Sequence, residues 1–247
     1  MKYLVNTSTD PHYNMAFDEW CLEHLQEDEP VFYLWRNRPS VIIGLNQVVE
    51  KEVDIPFLES HGITLARRVT GGGAVYHDLQ NLNYSILGKT YGNLTEDADP
   101  DADLDPVVDT APFMQALRAL GVNAEVTGRN DIFLDGKKIS GYARRVWKNR
   151  TLVHGTLMWN VDIETLTRAL SAPDSKLTKK GIASVRSRVA NLKDYLPQFA
   201  TLDELQEALH HIMAGSDSQI ILNPSQLAQI QDLCDSKFAT REWNFRL

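Results

Sequence analysis

The chain has 247 residues, of which 43% are hydrophobic and 23% are charged, with 10 prolines and 14 glycines. This composition is typical of a soluble globular protein with a sizeable core, and it excludes disordered and fibrous classes. The net charge of −8 disfavours a protein that mainly coats nucleic acid, because such proteins are usually basic. No signal peptide is recognisable, and no apolar run approaches the ~20 residues that span a bilayer. We therefore expect a cytoplasmic protein that binds neither nucleic acid nor a membrane.

The first predicted elements alternate between helix and strand. Asn14 is a candidate N-cap for a helix with an apolar buried side. The apolar runs 31–35 and 41–43 are predicted to form neighbouring strands joined by a tight connection. A helix over 112–120 should end at Gly121, since glycine commonly stops a helix.

The second half of the chain adds a hairpin and several helices. Residues 132–134, the turn pair Asp135-Gly136 and the run from Lys138 onward predict the hairpin. Thr201 and Glu204 have the spacing of a capping box. The remaining predicted elements are a strand at 152–159 and helices at 163–170, 202–213 and 224–236.

The order of these elements predicts the fold class. Strands and helices are mixed without strict alternation, which indicates an α+β fold with helices flanking a mixed or mostly antiparallel sheet. No internal repeat and no linker divides the sequence, so we predict a single domain over residues 1–247. The two cysteines, Cys21 and Cys234, lack the spacing of a zinc site or a disulfide framework, which agrees with a reducing compartment.

The most informative stretch covers residues 67–78 and reads Arg-Arg-Val-Thr-Gly-Gly-Gly-Ala-Val-Tyr-His-Asp. Three successive glycines expose backbone N–H groups and let the chain approach a ligand closely, as phosphate-binding loops require. Arg67 and Arg68 could pair with phosphate oxygens in a bidentate way. The alternative is a glycine turn between strands with solvated arginines.

Three further stretches carry candidate functional residues. Asp131 opens a predicted strand, where it could bind a metal ion, a ribose or an amine, and Lys138 on the facing strand would reach the same pocket. The alternative is a hairpin whose basic edge prevents pairing with other strands. His154 lies in a strand and is either a packed residue or a site residue. Residues 179–189 are basic and either bind an anionic ligand or form a solvated surface.

Taken together, the order and separation of these stretches resemble the lipoate-protein ligase family. The triple-glycine segment is the most specific match, together with Gly-Ile-x-Ser-Val-Arg-Ser-Arg-Val at 181–189. The other matching segments are residues 81–85, Gly-Arg-Asn-Asp at 128–131, Lys-x-Ser-Gly at 138–141 and His-Gly-Thr-Leu at 154–157. Weaker matches at 14–19 and 242–245 extend the resemblance to roughly residues 10–245.

The resemblance implies a catalytic fold shared with biotin protein ligases and, more distantly, with class II aminoacyl-tRNA synthetases. It implies ATP-dependent, magnesium-assisted activation of (R)-lipoate to lipoyl-AMP. The lipoyl group then passes to one lysine of a carrier domain, which is a post-translational modification. The implied carriers are the E2 subunits of 2-oxoacid dehydrogenases and the glycine cleavage H protein. We expect the ligase to be a monomer.

The resemblance also implies roles for individual residues. Lys138 should be catalytic and contact both the lipoyl carbonyl and the α-phosphate, where a fixed cation stabilises developing negative charge. Asp131 is implied for the magnesium ion or the incoming amine, without a firm metal assignment. The implied ATP contacts are Arg68, Gly73, Ala74, Val75, Tyr76 and Lys138. The implied lipoate contacts are Gly72, Gly73, His77, Lys138 and His154. Four apolar residues are assigned to the core, with a lipoyl tunnel as the alternative: Val31, Trp35, Val41 and Ile43.

Three departures from the family pattern affect these expectations. Gln80 stands where many relatives have Gly, and Leu45 where they often have Arg, which removes one basic contact near the ligand. Many relatives also continue past residues 242–245 into a smaller C-terminal domain, whereas this sequence ends at Leu247. The chain is then a ligase domain without the accessory domain. It either works with a separate accessory protein, works alone, or is part of a longer protein.

Two rival functions come from other classes. The nearer rival is an ATP-independent transferase that moves octanoyl or lipoyl groups between carrier proteins. Octanoyltransferases of this fold use a cysteine nucleophile, and neither Cys21 in an apolar helix nor Cys234 near the C-terminus suits that role. An ATP-independent amidotransferase without such a cysteine remains the alternative function. The more distant rival is a non-catalytic module that binds acyl carriers, and the lysine, arginine and glycine motifs argue against it.

Overall fold

A computed structural model describes residues 1–89, 106–128, 130–170, 188–214 and 218–246. The predicted α+β class is confirmed. The strands are β1 (Lys2–Tyr3), β2 (Val31–Trp35), β3 (Ser40–Ile43), β4 (Thr64–Arg67), β5 (Val75–His77), β6 (Asn81–Lys89), β7 (Glu125–Thr127), β8 (Asp131–Leu134), β9 (Lys137–Trp147) and β10 (Arg150–Met158). The helices are α1 (Pro11–His24), α2 (Val49–Glu52), α3 (Ile55–Ser60), α4 (Pro106–Ala119), α5 (Ile163–Ala169), α6 (Leu202–Met213), α7 (Pro224–Leu233) and α8 (Arg241–Asn244).

Two sheets organise the described residues. The larger has the strand order β1-β2-β6-β10-β9-β8-β7, and all of its pairs are antiparallel except β1 with β2. The smaller has the order β4-β3-β5, with β3 parallel to β4. The predicted pairing of runs 31–35 and 41–43 is therefore wrong. Both runs are buried along their whole length, and the chain between them crosses from one sheet to the other.

The start of the first helix also differs from the prediction. Asp10 is the N-cap, and its carboxylate accepts hydrogen bonds from the amides of His12 and Tyr13. Asn14 lies inside the helix, where its buried side-chain amide donates to Asn37 Oδ1 and to two backbone carbonyls. A residue that favours N-caps is here held in a helix by a tertiary hydrogen-bond network.

Two helix boundaries in the second half follow the sequence signals only in part. The helix predicted from residue 112 begins at Pro106, and Pro112 lies inside it. Its predicted end is confirmed, because Gly121 follows with φ +88°. Thr201 caps α6 as predicted, but the Glu204 carboxylate accepts from the amide of Ala200 and not from that of Thr201.

The hairpin of β8 and β9 is confirmed. Asp135 and Gly136 have φ values of +49° and +73°, as a type I′ turn requires at both central residues. Register shifts by one position at Ile132/Phe133, which pairs Phe133 with Lys138. The hairpin thus projects Lys138 and Asp131 from adjacent strands.

The two faces of the larger sheet pack against different layers. One face contributes Phe32, Tyr84 and Val153 to a core with α4 and α6. The opposite face contributes Val31, Tyr33 and other side chains to a core with α1 and α7. The smaller sheet closes over part of this second face, and the cavity described next lies between the layers.

Candidate active site

A cavity of about 110 Å³ lies between the larger sheet, α1 and the smaller sheet. Three of its walls come from segments that the sequence singled out, namely the glycine loop of residues 70–74, the β8–β9 hairpin and the His154 strand. The sequence-predicted residues that line it are Arg68, Gly73, Ala74, Val75, His77, Lys138 and His154. Other lining residues lie in the segments that match the family but had been given no role in the site, namely Met15, Asn83, Asn130, Gly141 and Thr156.

The glycine loop presents free backbone amides. Within the described ranges, the N–H groups of residues 71–74 donate to no carbonyl or side chain. Gly72 has φ +88°, a backbone conformation that residues other than glycine rarely adopt. Adding a Cβ to Gly71 or Gly73 would meet nothing within 4 Å. The loop therefore has the unpaired donors and the open space that an anion-binding loop needs.

Arg68 holds this loop in shape from within. Its guanidinium donates to the carbonyls of Ile42 (3.1 Å), Gly71 (2.6 Å) and Gly73 (2.8 Å) and to Thr70 Oγ1 (2.9 Å). Burial lowers the pKa of Arg68 to about 10, so the side chain stays charged at neutral pH. Arg68 also lines the cavity, so its charge lies beside any ligand there.

Arg67 points elsewhere, which corrects the expectation that both arginines face a phosphate. Its buried guanidinium donates to backbone carbonyls of the 44–47 loop and of the C-terminal segment. Alternation along β4 and the following turn separates the two neighbouring arginines onto opposite sides. Because the two residues are adjacent arginines, the sequence gave no indication that their guanidinium groups point to different parts of the structure.

Lys138 and Asp131 form an ion pair at the edge of the cavity, with Nζ 2.6 Å from Oδ1. Both side chains are about one-third exposed, so a ligand can reach them. Gly141 leaves room for this pair, because a Cβ there would lie 3.1 Å from the Lys138 Nζ. Lys137 is not among the lining residues, as strand alternation predicts.

A buried polar network backs the cavity from the side of α1. His154 Nδ1 lies 2.6 Å from Asp18 Oδ2, and His154 Nε2 lies 2.7 Å from Thr70 Oγ1. Tyr33 and Ser85 also donate to Asp18, which is 1% exposed. The network connects α1, the larger sheet and the glycine loop. Asp18 was missed, although it falls in the weakly matching segment 14–19.

His77 has a fixed tautomer. Asn14 donates to Asn37 Oδ1 (2.7 Å), which leaves Asn37 Nδ2 to donate to His77 Nδ1 (3.0 Å). The His77 proton is therefore on Nε2, an atom that has no partner among the described residues. Burial, with the nearby Arg68 charge, lowers the pKa of His77 to about 3. Asn83 Nδ2 is a second buried donor without a partner, and both residues line the cavity.

The apolar candidates divide between wall and core. Trp35 lines the cavity together with Ile42, and its indole donates to Ser85 Oγ (2.9 Å). Val31, Val41 and Ile43 are fully buried core residues, as expected. Tyr76 packs into the core beneath the smaller sheet, and neither it nor Gly72 is among the lining residues.

The basic stretch at 179–189 falls mostly outside the described residues, as does Arg129. The last residues of the basic stretch pair with β9 at Lys138. The Lys138 amide donates to the Arg188 carbonyl (2.9 Å), and the amide of Ala190, just after the stretch, donates to the Lys138 carbonyl (3.0 Å). The stretch therefore ends beside the predicted site.

The described residues hold neither a preformed metal-binding cluster nor a helix that could cross a membrane. The described ranges contain no group of three or more His, Cys, Asp or Glu side chains placed to bind a metal ion. None of the described helices has the length and apolar character that crossing a membrane requires.

Comparison with known proteins identifies the family to which the chain belongs. Residues 10–214 match the lipoyl protein ligase A/B catalytic domain. Lipoate–protein ligase 1 of Staphylococcus aureus is 39% identical over 99% of this chain and 73% of its own length. A bipartite lipoate protein ligase from Thermoplasma acidophilum, studied with its E2 lipoyl domain, has a TM-score of 0.82 at 31% identity, covering 99% of this chain and 95% of its own. A lipoate-protein ligase A bound with ATP has a TM-score of 0.78 at 30% identity, covering 99% and 98%.

The mixed fold and the cavity thus define a catalytic domain of the ligase class. More particularly, the chain belongs to the lipoyl protein ligase family, whose curated members matched here are ligase enzymes. The family resemblance predicted from the motifs is confirmed. The predicted relation to biotin protein ligases stays a prediction.

Proposed function

We propose that this chain activates (R)-lipoate with ATP to lipoyl-AMP and transfers the lipoyl group to a lysine of a carrier domain. One observation carries the proposal: Lys138, which is paired with Asp131, lines the same cavity as an apolar wall and a loop whose amides have no partner among the described residues. The names of the relatives support lipoate as the substrate, and the ATP-bound relative supports ATP.

In the first step, a lipoate carboxylate oxygen attacks the α-phosphate, an oxygen–phosphorus bond forms, and pyrophosphate leaves. The free amides of residues 71–74 bind phosphate oxygens, as unpaired backbone donors do in other anion-binding loops. Lys138 lies across the cavity from this loop and stabilises negative charge on the α-phosphate and the carboxylate. Arg68 shapes the loop and adds positive charge beside the nucleotide.

In the second step, the amine of the carrier lysine attacks the lipoyl carbonyl, an amide forms, and AMP leaves. No nucleophile from the ligase is needed, because the mixed anhydride is already activated. The Asp131 carboxylate accepts the proton that the amine loses, since it lies at the exposed edge where a carrier lysine can enter. The lipoyl chain lies against Met15, Trp35 and Ile42.

The site could hold a magnesium ion through one protein ligand, Asp131, with phosphate oxygens and water as the other ligands. Mg²⁺ at nucleotide sites is usually held by one or two carboxylates together with phosphate oxygens and water. Asp131 is the carboxylate at the cavity edge, and only its Oδ1 is engaged by Lys138. The ion would neutralise phosphate charge when ATP is bound.

Carrier domains of 2-oxoacid dehydrogenase E2 subunits and the glycine cleavage H protein are the proposed partners. The ligase from T. acidophilum was studied with its E2 lipoyl domain, which supports the first class. We further propose that the ligase acts in the cytoplasm as a monomer, alone or with a separate accessory protein.

The ATP-independent transferase is less compatible with this chain. Burial raises the pKa of the Cys21 thiol well above its usual range, and that of Cys234 to about 11. Neither cysteine lines the cavity. Both thiols are therefore protonated and remote, whereas a transferase of this type needs a reactive thiolate.

Two assays test the proposal. The purified chain should release pyrophosphate from ATP only when lipoate is added, and it should modify a carrier domain when lipoyl-AMP is supplied directly. Carrier modification from supplied lipoyl-AMP without pyrophosphate release from ATP would point to a missing partner for adenylation. If supplied lipoyl-AMP gives no modified carrier, the ligase proposal is wrong whatever happens with ATP.

A further inference from the structure

Arg67 occupies a buried cage of neutral acceptors. Its Nη1 donates to the carbonyls of Gly44 (2.9 Å), Leu45 (3.0 Å) and Gln47 (2.9 Å). Its Nε and Nη2 donate to carbonyls of the C-terminal segment, defined as residues 238–246: Trp243 (3.1 Å), Asn244 (3.0 and 3.2 Å) and Arg246 (3.2 Å). Among the described residues, no carboxylate forms an ion pair with it. One guanidinium therefore joins two distant parts of the chain.

The backbone of Arg67 makes the same connection. Its amide donates to Asn244 Oδ1 (2.8 Å), and its carbonyl accepts from the Trp243 indole (2.9 Å). The Asn244 amide in turn donates to the carbonyls of Phe238 (2.7 Å) and Thr240 (2.8 Å). The C-terminal segment is thus held against β4 by the buried Asn244 side chain and the half-buried Trp243 indole.

The 44–47 loop transmits this contact to the glycine loop. The Leu45 amide donates to the Thr70 carbonyl (2.8 Å). Gly44 lies so close to Gly72 that a Cβ on Gly44 would be 2.1 Å from the Gly72 carbonyl oxygen. A shift of the Arg67 guanidinium would therefore move the carbonyls of Gly44 and Leu45, and with them the loop at the cavity.

We propose that Arg67 is a positioning residue that couples the C-terminal segment to the glycine loop, so that docking of residues 238–246 sets the loop conformation that binds ATP. The coupling itself stands on the contacts above, and only its consequence for ATP rests on the proposed function. A guanidinium suits this role because its donors form a planar fork that reaches acceptors on two sides at once. A lysine ammonium in this place could not span both groups of carbonyls.

The first test is amide hydrogen exchange, without any ligand, at the bonded amides that flank the glycine loop: Leu45, whose N–H donates to the Thr70 carbonyl, and the β5 residues that pair with β3. Arg67→Met removes the guanidinium, and Asn244→Ala loosens the C-terminal segment while Arg67 remains. Both should speed exchange at these flanking amides, since the unpaired amides of residues 71–74 are unprotected in the parent chain already. The controls are Glu242→Gln, which changes an exposed side chain on α8, and Ile230→Ala, which destabilises the buried contact of α7. Neither control should change exchange at the flanking amides.

The second test is the dissociation constant for ATP in the same four variants. Mutations along a coupling network commonly change affinity by about two- to thirtyfold, and we expect a weakening in that range for Arg67→Met and Asn244→Ala only. Should Arg67→Met fail to fold, Asn244→Ala decides. Faster exchange in the C-terminal segment, with unchanged exchange at the flanking amides, would overturn the proposal. If exchange at the flanking amides changes but the parent chain does not bind ATP, the coupling stands and the proposed function fails.

Discussion

The two faces of the larger sheet differ in what they bury. The face under α4 and α6 is apolar almost throughout, with Phe113, Leu117 and Leu205 packed on its strands. The face under α1 carries a row of polar side chains at matched register positions, in which Asn83 lies between Trp35 and Thr156, and Ser85 between Tyr33 and His154. Directly opposed residues share a face, and four members of these rows line the cavity, namely Trp35, Asn83, Thr156 and His154.

This difference shows how one sheet can provide both stability and a site. Apolar packing stabilises the fold through buried area and needs no particular partners. A buried polar group must find partners or it destabilises the fold. Most polar atoms around the cavity are paired, but among the described residues Asn83 Nδ2 on this face and His77 Nε2 on β5 of the smaller sheet have no partner. Unpaired donors of this kind are expected where a ligand or an ordered water completes the hydrogen bonds.

The largest expected effect on stability lies on the apolar face. Leu117 is fully buried against the sheet, so Leu117→Ala should lower the free energy of unfolding by about 2–5 kcal/mol. Chemical denaturation measures this loss. The pyrophosphate released per folded molecule should stay close to that of the parent. A selective loss of catalysis in this variant would mean that the two faces are not separable.

Among substitutions that leave the charge unchanged, Gly44→Ala should cause the largest loss of pyrophosphate release. The new Cβ would meet the Gly72 carbonyl at 2.1 Å, so the glycine loop must move. Misplacement on that scale can lower a rate by about a hundredfold. Gly71→Ala is the matched control, because its Cβ would enter open space. Equal pyrophosphate release by the two variants would show that the close approach of Gly44 does not matter.

Asp18→Asn tests the polar network of the cavity face. Asp18 accepts from Tyr33, Ser85 and His154 in a buried setting, and hydrogen bonds to a charged group contribute about 1.5–3 kcal/mol. We expect a loss of unfolding free energy in that range. The comparison is Asp203→Asn, whose exposed carboxylate pairs with Arg36 and should contribute less than about 1 kcal/mol. A smaller loss for Asp18→Asn than for Asp203→Asn contradicts the network.

The effect that is smallest near neutral pH is a pH dependence of the unfolding free energy from His77. Its pKa is about 3 in the fold and near 6.5 when unfolded, so only the unfolded chain binds a proton between these values. Stability should therefore fall as pH decreases from 6.5 towards 3, with a limiting slope of about 1.4 kcal/mol per pH unit from this residue. His77→Gln should flatten the slope, since glutamine does not titrate. An unchanged slope in denaturation series would exclude His77 as its source.

The same contrast explains what the sequence could predict. Local signals were sufficient for the hairpin, because Asp135-Gly136 specifies a turn by its own backbone preferences, and for the Thr201 cap. They failed for Asn14, whose local preference is overridden by Asn37 from a distant part of the chain. Motif resemblance found most of the cavity wall. It could not separate Arg67 from Arg68 or find Asp18, because those roles depend on contacts between residues far apart in sequence.

Lys138, which lines the cavity, is proposed to stabilise the negative charge that develops during lipoylation, whereas its neighbour Lys137 is not. The direct test is the mass of a carrier domain after incubation with ATP, magnesium, lipoate and the parent chain, Lys138→Ala or Lys137→Ala. A well-placed charge donor commonly contributes about a hundred- to a thousandfold to a rate. The parent and Lys137→Ala should therefore modify the carrier, whereas Lys138→Ala should give no measurable product. Equal modification by the two variants would contradict the account.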